Sequence, residues 1–258
     1  MQKSAVRPSP VFLGILALTV AGGAMAAFGD ITTILDRDRD PLLIAGVVIF
    51  VAAGWVASLS LHEFGHAMVA YRGGDYSVAH KGYLTLDVRK YTDPVLSIIL
   101  PLIFLIIGGI PLPGGAVWIN RGALRSRGTS SWVSLAGPLS NLAVGAALAL
   151  VVALVPMAGG LVIAMSYLAL LQVVTFLLNI LPIPGLDGWG AIEPYLPPRA
   201  REIGAQVRPW APIVLFALLF FFRPANTALW QGSYAIFNAF GGYVDGAQIG
   251  FSVFQFWN

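Results

Sequence analysis

His62, Glu63 and His66 stand together in the stretch LHEFGH, residues 61–66, which holds two of the chain's three histidines. On a helix the two histidines fall four residues apart on one face, about 6 Å apart along the axis. That spacing lets both imidazoles reach one zinc ion at about 2.0–2.1 Å each. Glu63, beside them, is positioned to take a proton from a metal-bound water, an arrangement that serves metal-assisted hydrolysis. A catalytic zinc takes three protein ligands and keeps one position open, so the stretch lacks a ligand. The chain has no cysteine. Disulfides and thiolate sites are thereby excluded, and the missing ligand is a His, Asp or Glu.

The elements that must position these groups are apolar. Of 258 residues, 57% are hydrophobic and only 10% charged, with a mean hydropathy of +0.79. Soluble domains carry about 25% charge, so the composition predicts an all-α polytopic membrane protein. The stretch LHEFGH overlaps the end of residues 42–61, a charge-free run of 20 residues. At about 1.5 Å per residue such a run matches a hydrocarbon core of about 30 Å. Residues 11–29, 132–155 and 161–178 are further spans, and 209–222 is a shorter one before an aromatic tail. About five to six transmembrane helices are expected. Residues 11–29 can be an uncleaved anchor helix or a signal peptide cut near AMA, and the anchor is the preferred reading. The net charge of +3 includes no Lys/Arg run dense enough to track phosphates, so nucleic acid is not an expected partner. Ionisable residues at membrane depth are costly and mark function.

One apolar segment, residues 94–110, runs into GGIPLPGGAVWIN and is unsuited to a lipid-exposed helix. If it crossed the membrane fully, Lys and Arg would divide 7 to 8 between the two sides. If it dips in and returns, the division becomes 12 to 3. Cytoplasmic loops concentrate Lys and Arg, so a re-entrant hairpin or strand segment near 94–120 is expected, covered by other helices. The stretch LNILPIPGLDGWG, residues 178–190, breaks a span with two prolines just where Asp187 appears. An Asp at a helix end is usually solvated. With the re-entrant arrangement, however, the helix bearing His62 and the helix ending near Asp187 run the same way. Their ends then share one face, and Asp187 becomes the third ligand.

HEFGH in a membrane helix, AGPLSN at 136–141 and NILPIPGLDG at 179–188 resemble the site-2 protease family of intramembrane zinc metalloproteases. The last stretch fits that family's N-x-x-P-x-P-x-x-D-G pattern at Asn179, Pro182, Pro184, Asp187 and Gly188. The segment after the zinc motif, GGDYSVAHKGYLTLDVRKYTDPVLSIILPL, is similar to that of the compact bacterial and archaeal branch. The resemblance covers roughly residues 42–190. It implies one zinc ion on His62, His66 and Asp187, with Glu63 as general base. It also implies substrate contacts at Asn141, at Asn179, and at Gly115 in the re-entrant loop. The chain differs from many members in having neither a PDZ nor a CBS domain.

The expected organisation is one membrane-embedded metalloprotease domain over 1–258. It divides into an N-terminal anchor helix and loop (1–41), a catalytic core (42–190), and a C-terminal helix and tail (191–258). The expected reaction is peptide-bond hydrolysis in or near transmembrane segments of membrane-protein substrates. The expected place is a prokaryotic cell (inner) membrane, with the site toward the cytoplasm. A membrane zinc transporter would use the same three ligands but would not need Glu63. A silent relative that binds transmembrane helices would need neither zinc nor Glu63. His80 and the arginines at 121, 125 and 127 read as solvated residues and positive-side anchors.

Overall fold

The computed structural model of the chain describes residues 6–35, 40–91, 103, 105 and 117–257. Among these residues the regular structure is helical, with no strand. Helix α1 (Pro10–Phe28) starts on Ser9, whose Oγ accepts from Phe12 N, followed by Pro10 at the first turn. Helix α2 (Pro41–Gly73) repeats the pattern, with Asp40 accepting from Leu42 N and Pro41 next. Proline there lacks only an N–H that a helix start leaves unpaired anyway. At its other end Gly74 takes φ +119°, a left-handed conformation that ends the helix at little cost to glycine.

After a one-turn helix α3 (Ser77–His80), helix α4 (Arg127–Leu154) is capped by Ser126, and helix α5 (Gly159–Ile180) returns across the bundle. Short helices α6 (Asp187–Ile192) and α7 (Pro198–Val207) follow, then α8 (Ala211–Phe221), α9 (Arg223–Ala239) and α10 (Val244–Phe254). Four helices, α1, α2, α4 and α5, are long and apolar enough to cross a membrane, and α8 with α9 makes a fifth if that pair, bent by 94°, is one span. The chain is therefore a multi-pass membrane protein, and five spans is where this count meets the sequence expectation. The aromatic tail, which sequence alone leaves unplaced, forms α9 and α10. Phe251 and Phe254 of α10 pack on the ring of Tyr167 in α5.

In lipid, helices gain little from hiding apolar faces and associate through close packing at small residues. Gly46 of α2 lies against the backbone of Ala26, and Gly160 of α5 against Ala26 O, with no room for a side chain at either. Helix α5 is the hub, in contact with α1, α2, α4, α9 and α10. It is also the most buried span, with 72% of its apolar window inside the protein.

Successive spans alternate in direction. Ser9 N at the start of α1 donates to Thr85 O, beyond the end of α2, at 2.8 Å. Arg125 N, just before α4, donates to Gly73 O at 3.0 Å. Helix α5 runs parallel to α2, with Gly160 near Leu43 and Leu168 against Gly54. The end of α2, the start of α4 and the end of α5 thus meet on one side. Tyr91, whose Oη reaches Ser60 O, and Val117, whose N–H reaches Glu63, lie on that side too. The two flanks of residues 92–116 are therefore at the same end of the bundle, as the charge division requires. The expected re-entrant segment, Gly115 included, falls on residues outside the described ones. The described end of that segment, residues 117–120, has no regular structure. Just before the first flank, Asp87 accepts from Arg89 Nε and Nη2 at 2.9 and 2.8 Å, and this pairing holds its carboxyl below the ordinary carboxylate value.

Candidate metal centre

Helix α2 does not end at LHEFGH. It continues to Gly73, 33 residues in all, roughly 50 Å against a hydrocarbon core of about 30 Å. The motif is therefore buried in helix interior, with His62 and His66 each 6% exposed and Glu63 2%. The two imidazoles meet edge to face with centroids 4.7 Å apart, and their Nε2 atoms are separated by 3.0 Å.

Each ring is held from behind by α4. His62 Nδ1 lies 2.5 Å from Asn141 Oδ1, and His66 Nδ1 lies 2.6 Å from Val133 O. Val133 O accepts, as does Asn141 Oδ1 in the orientation shown, which favours the proton on Nδ1 of each ring and leaves Nε2 to offer its lone pair to a metal. Asn141 then donates through Nδ2 to Gln172 Oε1 of α5 at 2.7 Å. Hydrogen bonds between membrane helices average only about 0.6 kcal/mol. Their main effect here is on orientation rather than on stability.

Asp187 arrives by a built turn. Leu178 is the last residue of the sequence-predicted span, and α5 ends two residues later. Pro182 and Pro184 prevent helix from resuming, and Gly185 takes φ +100°. Gly188 sits against the carbonyl of Ile180, where any side chain would collide. The carboxylate of Asp187 is thereby turned back onto the histidines, with Oδ2 at 3.2 Å from His62 Nε2 and Oδ1 at 3.4 Å from His66 Nε2.

The two Nε2 atoms, 3.0 Å apart, each face one oxygen of the Asp187 carboxylate, at 3.2 Å for His62 and 3.4 Å for His66. Ligands held at about 2.0–2.1 Å from a tetrahedral ion are separated by about 3.3–3.4 Å. Two aligned lone pairs facing a carboxylate at this spacing fit zinc in donor type and in size. Glu63 also comes within 4.8 Å of both histidine donors. Its Oε2, however, accepts Val117 N–H at 3.1 Å, and Asp187 is the closer carboxylate.

The centre opens into a cavity of about 1030 Å³ whose walls include Trp118, Asn179, Arg208, Ile213 and Phe216. Asn179 lies at the wall with its Nδ2 bonded to Thr175 O, and Asn141 lines the same space while tied to His62. Arg121 is exposed at the rim of the cavity. Its guanidinium lies within 3.3–3.5 Å of Glu193, Gly190 O, Ser130 and Ser134, which pins the 117–121 segment to α6. His80 is exposed, as the sequence suggests.

Three residues to which sequence gives no role are placed at or near the centre. Gly137, in the AGP turn of α4, packs on the two imidazoles, and a Cβ there would fall onto both Nε2 atoms. Gln172 terminates the chain of hydrogen bonds behind His62. Asp75, 1% exposed, accepts from Ser77 and, at 2.7 Å, from Asn120 N. A polar residue in an apolar span was the available signal for Gln172, and a glycine beside Pro138 for Gly137. Neither signal names a partner.

Rip2 of Mycobacterium tuberculosis is 45% identical to the chain over 225 residues, covering 86% of the chain and 83% of Rip2. Rip2 of Mycolicibacterium smegmatis is 44% identical over 219 residues, 84% and 82% of the two chains. YwhC of Bacillus subtilis is 33% identical over 189 residues, 68% and 81%. All three bear the printed name "Putative zinc metalloprotease". No family model and no solved structure matches the chain. Identity at this level over most of both chains carries the resemblance from a handful of motifs to the whole protein: the chain belongs to the site-2 protease family of zinc metalloproteases.

Proposed function

We propose that the chain is an intramembrane zinc endopeptidase that cuts peptide bonds in or near transmembrane segments of other membrane proteins. One observation carries the reading: a histidine pair held by α4, Asp187 and a buried Glu63 converge among spanning helices. Charge groups are expensive there and need a use.

In this reading His62, His66 and Asp187 hold one zinc ion. Bound there, zinc supplies Lewis acidity, which acidifies water and polarises the scissile carbonyl. Glu63 accepts the proton of the attacking water and returns it to the leaving nitrogen. The Val117 N–H fixes one of its oxygens, leaving the other to carry the proton. Asn179 and residues 117–119 line the cavity where an unwound substrate lies. A helix in lipid hides its amides in its own hydrogen bonds, so a substrate must unwind locally. Extended backbone beside it can then pair with it as an added strand. Asn141 holds the His62 ring and also lines this cavity, where it can meet the substrate.

The side on which α2 ends carries Arg72, Lys81, Arg89, Lys90, Arg125 and Arg127, which supports placing the site toward the cytoplasm of a prokaryotic inner membrane.

Asp75 anchors the far end of the 117–120 segment. Asp75→Ala removes an acceptor of the Asn120 N–H, and hydrogen bonds to charged groups contribute about 1.5–3 kcal/mol. The expected result is a fall in cleavage of about tenfold or more with zinc content unchanged. Loss of zinc from this variant would assign Asp75 to the metal centre instead.

The reading as a whole is tested by reconstituting the full chain in liposomes with single-span reporter proteins and sequencing the product termini. Cuts inside or at the edge of the apolar span are expected. Cuts confined to soluble loops, or zinc flux across the bilayer without any cut, would overturn it.

A further inference from the structure

The hydrogen bonds behind His62 run in one direction. His62 Nδ1–H donates to Asn141 Oδ1, and Asn141 Nδ2 donates to Gln172 Oε1. Gln172 is wholly buried on α5, and its own Nε2 has no hydrogen-bond partner among the described residues.

A carboxamide is nearly symmetric in shape and opposite in chemistry at its two ends. Turned over, Asn141 would offer its NH2 to His62 Nδ1. That would stabilise the tautomer with the proton on Nε2, the atom that faces His66 and Asp187. A protonated Nε2 has no lone pair for a metal. What lies on the other side of Asn141 therefore decides the state of His62. As the structure holds it, Gln172 turns Oε1 toward Asn141, and this oxygen can only accept, which favours the Asn141 orientation with Nδ2 toward α5 and Oδ1 toward the imidazole. A Met would fill similar space without leaving a buried N–H unpaired, which is costly. Packing alone does not account for Gln172.

We infer that Gln172 is a positioning residue that sets the tautomer of His62 through Asn141 and so keeps Nε2 open to the metal. The inference rests on the reading of His62 as a zinc ligand. It extends the centre by one helix, since a residue of α5 governs a ligand on α2 through α4.

Zinc affinity, read by chelator competition on the full chain in detergent, tests this without recourse to activity. Gln172→Met is expected to weaken zinc binding about 10–100-fold, as loss of such supporting partners does. Asn141→Asp has no NH2 to present, so His62 Nδ1–H meets an oxygen whichever way it turns. In that background Gln172→Met should change affinity by no more than about twofold, the scatter of independent sites. Gln172→Glu keeps the acceptor and should bind zinc like the wild type.

Equal losses in both backgrounds, or no loss on Gln172→Met alone, would overturn the inference. If Gln172→Met does not accumulate, Gln172→Glu decides: wild-type affinity supports the relay, and a loss of about tenfold or more overturns it. His62→Ala separates the two levels. If it still binds zinc as the wild type does, the ligand reading has failed. If it loses zinc while Gln172→Met does not, the relay alone has failed.

Discussion

Glu63→Gln is expected to leave one zinc ion bound per chain and to lower cleavage by about 10²–10⁴-fold, the range that a positioned general base contributes. In free energy that is about 2.7–5.5 kcal/mol of transition-state stabilisation. The substitution preserves size, and the glutamine oxygen still accepts from Val117 N–H, so the 117–121 segment stays in place. What disappears is the capacity to take a proton. The measurement pairs zinc content with single-turnover cleavage of a reporter. The same variant decides between the two carboxylates near the histidines. Glu63 lies within 4.8 Å of the imidazole donors, and Asp187 lies at 3.2 and 3.4 Å. If Asp187 is the ligand, Asp187→Asn loses zinc and Glu63→Gln keeps it. The reverse pattern would exchange their roles, and cleavage persisting at wild-type rate would remove Glu63 from the chemistry. A transporter or a silent adaptor predicts no rate to lose.

How much of this was legible beforehand follows from the kind of information each feature needs. His62 and His66 are four residues apart on one helix, so their shared face is a local property that spacing reveals. Asp187 is far away in sequence, yet Pro182, Pro184 and Gly185 mark the break that turns it inward, and the charge division constrains which ends meet. Spans were legible because length and apolarity suffice. Their inward faces were not. A soluble helix advertises its buried side by amphipathic patterning, but in lipid both faces are apolar and the pattern is lost. Which residues of α4 lie behind the histidines is therefore invisible until the helices are packed. Asn141 illustrates this: the motif identified it, and only the packing showed that it meets His62. The full length of α2 is hidden in the sequence for a different reason. Polar residues at 62–66 look like a helix end, while the burial that makes them tolerable comes from α4, α5 and α6.

Gly137→Ala sets local propensity against the site. In a helix interior alanine is favoured over glycine by about 0.8–1.0 kcal/mol, so on local grounds the variant should fold at least as well. The added methyl, however, would lie 2.6 Å from His66 Cε1 and closer still to the Nε2 atoms of both histidines. Contacts under 3.0 Å do not persist, so something must move. The backbone of α4 is packed against Gly65, where Ala136 O already leaves only 2.9 Å for a side chain. The imidazoles would therefore be the groups to shift, and they are tied to Asn141 and Val133, so shifting them breaks those bonds or draws Nε2 away from Asp187. Displacing a reacting group by about 1 Å can cost about 10²-fold, and here both ligands are displaced together. Gly137→Ala is expected to lower zinc affinity and cleavage by about 100-fold or more, and to destabilise the metal-free protein as well, because overpacking costs about 1–3 kcal/mol against a helix-propensity gain of about 0.8–1.0 kcal/mol. Gly14→Ala is the control, because its methyl meets nothing within 4 Å and should alter neither quantity. Wild-type zinc affinity in Gly137→Ala would show that the two rings yield freely, and that the α4 backbone does not shape the centre.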